Sequence, residues 1–214
     1  RKVKSFLIIF RSFTYENKLL SQNKKRLFEA KKKEYSLRSL NSICKNISNA
    51  KKIMPNLNFF LKIIDDNSKK NVIKNMKKII SKYKIGYELS NIDIKKYESK
   101  IKFKNNKRML AHNAHIFQSK EFAINSNYDL LYFVEDDYIH QHDAIEEMIY
   151  SYEKFSTQLN EDVILCPADY PFLYNRFDKT NILVGYKKHW RRVEESLCTY
   201  LISNNLLKKY WKNY

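Results

Sequence analysis

The chain has 214 residues, of which 43% are hydrophobic, so it can bury one sizeable core, and we expect a single domain over residues 1–214. Its formal net charge of +18 is distributed along the whole chain rather than gathered in one arm or stripe, which disfavours a specific nucleic-acid partner. The three cysteines are widely spaced without a CxxC pattern, and no apolar run reaches the roughly 18 residues of a membrane-spanning helix, which disfavours a disulfide-stabilised, zinc-binding or membrane-spanning class.

The first half of the chain predicts alternating strands and helices. Short apolar runs predict three strands, at residues 6–10, 57–64 and 86–89. Apolar positions at helical spacing predict two amphipathic helices, over residues 35–50 and 72–80. Polar, aperiodic stretches predict loops, from the first strand to residue 33 and over residues 90–107.

The second half continues this alternation. Helical patterns cover residues 108–124, 143–155 and 206–214, and strand patterns cover residues 128–134, 163–166, 182–186 and 198–202. Because residues 130–134 are apolar on both faces, we expect that strand inside the sheet. The alternation predicts an α/β fold with a mostly parallel central sheet covered by helices on both faces. The chain starts with Arg1 rather than Met and ends in a predicted helix without a closing element, so we expect a fragment of a longer protein.

Two acidic clusters follow predicted strands. The first consists of Asp65 and Asp66, and the second of Glu135, Asp136 and Asp137. Ligands of mostly parallel sheets bind beyond the carboxyl ends of the strands, which is where both clusters are expected. Three consecutive carboxylates after an apolar strand are unfavourable unless a positive charge meets them, and Mg²⁺ or Mn²⁺ with diphosphate oxygens suits them. If the extended geometry persists, Glu135 and Asp137 lie on one side and Asp136 on the other.

For each acidic cluster, a purely structural role is the alternative to ligand binding. Acids at the start of a helix favour its dipole and cap its free amides, so the second cluster can be read as a helix start. Capping needs only one acid, and this cluster supplies three, which favours the metal site. The sequence of residues 65–68, DDNS, is also a good turn and cap, and there the two interpretations are equal.

Two segments together resemble a known family. LKIIDDNS at residues 61–68, followed about seventy residues later by YDLLYFVEDDYIH at residues 128–140, resembles the GT-A glycosyltransferases, particularly family 2. The resemblance implies a GT-A fold, which is a Rossmann-like three-layer α/β/α arrangement. It further implies a nucleotide-sugar-binding half at residues 1–140 and an acceptor-side part, incomplete here, at residues 141–214. Glu135 at the first position of the later motif departs from the usual Asp, which indicates a distant branch.

The resemblance also implies an activity and a set of roles. The activity is metal-dependent transfer of a sugar from a nucleotide-diphosphate sugar to a glycan or lipid-linked acceptor, inverting, in cell-surface polysaccharide biosynthesis. By position, Asp65 or Asp66 would serve the nucleotide. The second cluster would hold the ribose or sugar and the metal-bound diphosphate, with Glu135 on the ribose or sugar and Asp137, together with Glu135, on Mn²⁺ or Mg²⁺. Asp136 belongs to the same donor-binding cluster.

The general base and several flanking residues are less constrained. In the family, the base is often an acid beyond a segment that LCTYLISNNLLKKY at residues 197–210 resembles, so the base is expected beyond Tyr214. Within the chain, the remaining candidates are Asp169, Glu194 and Glu195. From their location after the first strand, Arg11 and Thr14 are predicted nucleotide contacts. Further residues have both a site and a packing interpretation, namely His140, Tyr170, Phe172 and Trp190.

Two other classes of function stay open. A phosphoacceptor receiver domain also uses paired acids with Mg²⁺, but it is shorter and carries its acid pair after the first strand. A non-enzymatic basic domain would bind nucleic acid or an anionic surface through the +18 charge. The cysteine pattern fits a reducing cytoplasm, and a basic surface attracts diphosphates and anionic membranes. We therefore expect a cytoplasmic protein that can associate peripherally with the inner face of the membrane.

Overall fold

The computed structural model of the chain describes residues 2–14, 30–102, 106–168, 170–175 and 179–211. Seven β-strands lie within these ranges: β1 Ser5–Ser12, β2 Asn58–Asp65, β3 Tyr87–Asn91, β4 Leu130–Glu135, β5 Ile182–Val184, β6 His189–Arg191 and β7 Tyr200–Ser203. The same ranges contain six α-helices: α1 Lys32–Ile53, α2 Lys70–Ser81, α3 Ile94–Tyr97, α4 Lys107–Ile124, α5 Ala144–Gln158 and α6 Asn204–Tyr210. A 3-10 helix spans Pro171–Asn175.

Five strands form one sheet in the order β3-β2-β1-β4-β7. β1 pairs in parallel with β2 and β4, and β2 pairs in parallel with β3, whereas β7 joins β4 antiparallel at the edge. β4 therefore lies inside the sheet, as its apolar residues predict. The predicted α/β class with a mostly parallel sheet is confirmed, and the arrangement is compatible with a Rossmann-like fold.

Helices cover both faces of the sheet because the strands bury side chains on both sides. From β1, Phe6, Ile8 and Phe10 enter a core with apolar residues of α1, α2 and α5. Leu7 and Ile9 point to the other face, where they join residues of α4 and α6. The result is the three-layer packing that alternating strands and helices predict.

Three sequence predictions need correction. Residues 163–166 do not form a strand: Leu165 makes an isolated antiparallel bridge to Leu201, and Pro167 follows closely. The predicted loop at residues 90–107 contains α3, whose four residues are too few to show a helical period and whose start is capped by Asp93. The strand expected at residues 182–186 is only β5, and it pairs with β6, which was not predicted. Residues 15–29, 103–105 and 212–214 of the predicted loops and last helix lie outside the described residues.

No helix among the described ranges is long and apolar enough to cross a membrane. α2 shows the pattern of a helix with one buried side. Its buried side chains, Val72, Met76 and Ile80, recur every four residues, so they occupy a single stripe. The remaining surface of that helix is rich in lysine.

The β5–β6 hairpin, residues 182–191, is fixed to α5 by the buried carboxylate of Glu147. This carboxylate accepts hydrogen bonds from Trp190 Nε1 at 2.9 Å, Ser151 Oγ at 2.8 Å and the backbone N–H of Lys187 at 2.6 Å. Burial acts to raise the pKa of Glu147, but these donors outweigh it, so the pKa is lowered and the carboxylate is ionised at neutral pH. Trp190 therefore takes the packing role, and its ring also lies edge-on to Phe155.

A methyl group at Gly185 should destabilise this attachment. A Cβ there would overlap Ser151 Oγ and would lie 2.5 Å from Trp190 Nε1 and 2.6 Å from Glu147 Oε1. We expect Gly185→Ala to lower the free energy of unfolding by about 1–3 kcal/mol, measured by urea denaturation. Gly86→Ala is the matched control, because its Cβ would meet Phe60 at an ordinary 3.5 Å. Equal effects of the two substitutions would contradict this packing.

Candidate active site

The two acidic clusters meet at one edge of the sheet. β1 lies between β2 and β4, and its last residues pair in register with both: Ser12 with Asp65, and Arg11 with Glu135. Since neighbouring strands are about 4.8 Å apart, the ends of β2 and β4 are separated by about 10 Å, the width of one intervening strand. The sequence places both clusters at carboxyl ends, and the topology brings them to either side of a single strand.

Arg11 is the partner of Glu135. Its guanidinium Nη2 lies 3.2 Å from Glu135 Oε1, and its side chain is buried. Burial raises the pKa of Glu135, as do the neighbouring acids, whereas Arg11 acts to lower it. The Glu135 N–H also donates to Thr199 Oγ1 at 3.3 Å, which ties the end of β4 to the segment entering β7. The predicted contact of Arg11 with a nucleotide stays a prediction.

Lys32, in the first turn of α1, joins the other two acids. Its Nζ lies 2.5 Å from Asp136 Oδ1 and 3.1 Å from Asp137 Oδ2. Asp136 is buried and also accepts the Phe13 N–H at 3.0 Å, whereas the side chain of Asp137 is 32% exposed. The extended geometry on which the expected alternation of the three acids depends does not persist, because β4 ends at Glu135 and the chain turns there. The side chains of Asp137 and Glu135, which are 32% and 30% exposed, thus remain accessible while ion pairs hold them in place.

Lys32 and Asp136 each stabilise the charged form of the other. Burial disfavours the ammonium, but the two carboxylates outweigh it and raise the pKa of Lys32. Burial raises the pKa of Asp136, and the ammonium with the Phe13 N–H opposes that effect. Because an ammonium at 2.5 Å requires an ionised carboxylate to balance it, we take the pair as charged at neutral pH.

Much of the positive charge that the three acids need comes from the chain itself. Within the described part of the chain, Arg11 and Lys32 form ion pairs with all three carboxylates. Among the described ranges, no group of three or more His, Cys, Asp or Glu side chains could hold a metal ion alone. A donor set of one or two carboxylates still suits Mg²⁺ or Mn²⁺ when diphosphate oxygens complete the coordination. Asp137 and Glu135 fit that incomplete set.

The two aspartates of the DDNS turn have different surroundings. Asp65 is buried; its Oδ1 accepts hydrogen bonds from Ser12 Oγ and Ser68 Oγ, and its Oδ2 accepts the Ser68 N–H at 2.8 Å. The turn interpretation therefore describes Asp65, whereas α2 begins at Lys70 with Lys69 at its N-cap and no side-chain cap. Asp66 is half-buried and is contacted by Asn67 Nδ2 at 3.0 Å; burial raises its pKa, and Asp65 adds to the effect. Of the two, Asp66 is the better placed to meet a ligand.

Thr14 connects the end of β1 to this turn. Its Oγ1 donates to Ser68 Oγ at 2.7 Å, so the segment after β1 lies against the DDNS turn. This contact makes Thr14 a neighbour of the candidate nucleotide site, as its position in the sequence suggests. Its predicted contact with a nucleotide is untested.

Two aromatic or imidazole candidates have packing roles. His140 lies between β4 and α1, with its Nε2 2.9 Å from Tyr132 Oη and its Nδ1 3.4 Å from Ser42 Oγ. Burial lowers the pKa of His140 to about 4, so the ring is neutral at pH 7. Tyr170 is buried and its hydroxyl lies 3.0 Å from that of Tyr138, which follows the second acidic cluster. The side chain of Phe172 lies outside the described residues.

Two lysines of this region were missed by the sequence analysis. Lys32 belongs to a run of three lysines, and nothing in that run distinguishes it. Lys120 of α4 is buried, and burial lowers its pKa to about 8, with Arg11 adding to the decrease and Cys198 opposing it. On the same face His115 Nε2 lies 2.8 Å from the Ile64 carbonyl, and burial lowers the pKa of His115 to about 3.

The candidates for the general base remain dispersed. Glu194 and Glu195 are exposed in the segment of residues 192–199 that leads into β7. Asp169 lies outside the described residues. Their assignment as a base stays a prediction.

An open depression of about 520 Å³ lies away from the acidic clusters. It is formed near the start of β1 and the second half of α5, by Lys2, Tyr150, Glu153, Lys154, Thr157 and Gln158. Its position is therefore near the amino end of β1, whereas ligands of parallel sheets bind at the carboxyl ends. We assign the site to the carboxylates on this physical ground.

Comparison with known proteins adds no family to these observations. No family model matches the sequence, and no curated protein matches it. The inference about function therefore depends on the two motifs and on the geometry at the ends of β1, β2 and β4.

Proposed function

We propose that the chain is the donor-binding part of a GT-A-type, metal-dependent glycosyltransferase. The observation that supports this most is the meeting of the Asp66 and Asp137 clusters at the carboxyl edge, on either side of β1. A nucleotide-diphosphate sugar has a base and ribose at one end and a diphosphate and sugar at the other. Two separate polar groups about one strand apart suit such an elongated ligand.

In this proposal different residues bind different parts of the donor. Asp66, with Thr14 beside it, meets the nucleotide, and Asp137 with Glu135 holds Mn²⁺ or Mg²⁺ against the diphosphate. The bound cation would stabilise the negative charge of the departing nucleoside diphosphate. Arg11 and Lys32 keep Glu135, Asp136 and Asp137 in position, so little reorganisation is required when the donor binds.

The acceptor side completes the proposed reaction. A glycan or lipid-linked hydroxyl attacks the anomeric carbon, the bond to the diphosphate breaks, and a base removes the hydroxyl proton. With inversion, that base stands on the face opposite the leaving group. The expected context is polysaccharide biosynthesis at the cytoplasmic side of the membrane. Asp169, Glu194, Glu195 or an acid beyond Tyr214 would supply the base.

A donor panel tests the proposed function. The chain is incubated with individual nucleotide sugars, with and without an acceptor glycan, and release of nucleoside diphosphate is measured in Mn²⁺ and in EDTA. We expect release from a restricted set of donors, dependent on the metal. The alternative is a basic domain that binds nucleic acid or an anionic surface. It would be favoured if no donor releases nucleoside diphosphate and if the chain binds such a partner without metal, with an affinity that falls steeply as salt is added.

Asp66 and Asp65 should respond differently to neutralisation. Asp66→Asn is expected to weaken nucleotide binding about tenfold or more, because a charged hydrogen-bond acceptor is lost, with little change in stability. Asp65→Ala, in contrast, leaves the Ser12 hydroxyl and the Ser68 hydroxyl and N–H without their acceptor, and we expect a loss of about 1–3 kcal/mol of unfolding free energy. Calorimetric titration and urea denaturation of both variants measure the two effects. If Asp65→Ala weakened nucleotide binding and Asp66→Asn lowered stability, Asp65 would be the nucleotide ligand and Asp66 the structural residue.

A further inference from the structure

The outer face of the β5–β6 hairpin exposes apolar side chains. Cross-strand pairing places Leu183 opposite Trp190, and both pack against the main core. Because side chains alternate along a strand, Ile182 and Val184 project from the other face, where they are 69% and 58% exposed. Two neighbouring β-branched side chains are therefore directed outward from a short two-stranded sheet.

A third large side chain extends this surface. Arg191, the cross-strand partner of Ile182, lies with its guanidinium carbon 4.5 Å from the centre of the Tyr174 ring. Tyr174 is itself 63% exposed. Arg191 thus links Tyr174 to the strand pair that carries Ile182, and we call Ile182, Val184 and Tyr174 together the hairpin face.

The hairpin and its flanks carry several basic side chains. Residues 179–193 contain five basic residues and no acidic residue, and the exposed Glu194 and Glu195 follow directly; the basic residues are Lys179, Lys187, Lys188, Arg191 and Arg192. Lys187 forms an ion pair with α5, its Nζ lying 3.2 Å from Glu146 Oε1. Apolar side chains bordered by lysine and arginine complement a surface that has anionic groups outside and hydrocarbon beneath.

The attachment to α5 keeps this face outward. Glu147 binds the backbone of Lys187 and the indole of Trp190, so the inner side of the hairpin is already occupied. The hairpin therefore cannot bury Ile182 and Val184 by turning over without breaking buried hydrogen bonds.

We propose that the hairpin face is a docking surface for an anionic phospholipid membrane. Ile182, Val184 and Tyr174 enter the headgroup boundary, and the surrounding basic side chains contact lipid phosphates. This binding requires neither a nucleotide nor transfer activity, so it goes beyond the proposed function and is tested separately from it.

Vesicle sedimentation tests the apolar part of this surface. We expect the chain to bind vesicles of phosphatidylcholine with phosphatidylglycerol, and to bind vesicles of phosphatidylcholine alone much more weakly. The double variant Ile182→Ser with Val184→Ser should lose at least about tenfold in affinity. The matched control is Ile53→Ser with Leu159→Ser, since these side chains are 50% and 49% exposed elsewhere on the surface. Circular dichroism establishes that each variant is folded.

The basic part is tested in the same assay. Lys188→Gln with Arg192→Gln should weaken binding by roughly fivefold for each charge removed, and added salt should weaken binding of the parent chain. Three outcomes would overturn the proposal: no binding of the parent chain to anionic vesicles, equal losses in the hairpin and control variants, or a dimer in solution that only the hairpin variant separates.

Discussion

Replacing Asp137 by alanine should lower metal-dependent release of nucleoside diphosphate by about 100-fold or more, which corresponds to about 2.7 kcal/mol of activation free energy. The reason is its place at the end of β4. Lys32 contacts one oxygen of this carboxylate at 3.1 Å, and the side chain remains 32% exposed at the carboxyl edge of the sheet. The measurement is initial rate against Mn²⁺ concentration with the best donor of the panel.

The matched control for Asp137 is Glu161→Ala, which removes an exposed acid from the turn after α5. The control should turn over like the parent chain and unfold at the same temperature. Unchanged turnover in Asp137→Ala would refute the metal assignment. Because Asp137 is partly exposed and Asp136 keeps its bond to Lys32, we expect the Asp137 variant to stay folded.

Lys32→Met should remove about 3–5 kcal/mol of unfolding free energy, because it leaves the buried carboxylate of Asp136 without its cationic partner. The measurement is urea denaturation at neutral pH. Adding Asp136→Asn to Lys32→Met should recover much of the loss, since no buried charge then remains unpaired. Lys31→Met is the matched control, because Lys31 is exposed and adjacent in sequence.

A loss of less than about 1 kcal/mol in Lys32→Met, the value typical of exposed ion pairs, would contradict the buried arrangement. The same variant has a second use. Lys32 holds Asp137 as well as Asp136, so its removal should also raise the Mn²⁺ concentration needed for half-maximal turnover. A stability loss without a change in Mn²⁺ dependence would restrict the role of Lys32 to the fold.

The layout of the sheet was predictable because its inner strands are short apolar runs that end abruptly in polar residues. Residues 130–134 are apolar on both faces, and β4 does lie between two strands. The errors occurred where local pattern is weak. β6 is the sequence His-Trp-Arg, which shows no apolar period, and its position depends on the distant carboxylate of Glu147.

The candidate site was predictable in location but not in its internal bonding. Both acidic clusters follow strands, so their common edge could be inferred from the sequence. The choice between Asp65 and Asp66 depends on Ser12, more than fifty residues earlier, whose hydroxyl reaches Asp65 across the sheet. Likewise, the pairing of Lys32 with Asp136 joins positions about a hundred residues apart. Such contacts exist only once the strands have assembled.

We propose that Asp137 and Glu135 at the end of β4 bind a cation, which in turn binds diphosphate. Calorimetry tests this binding most directly. A nucleoside diphosphate is titrated into the chain with and without Mn²⁺, and then into Asp137→Ala. We expect binding at least about tenfold tighter with the metal in the parent chain, and no such gain in the variant. Equal affinity with and without Mn²⁺ in the parent chain would contradict it.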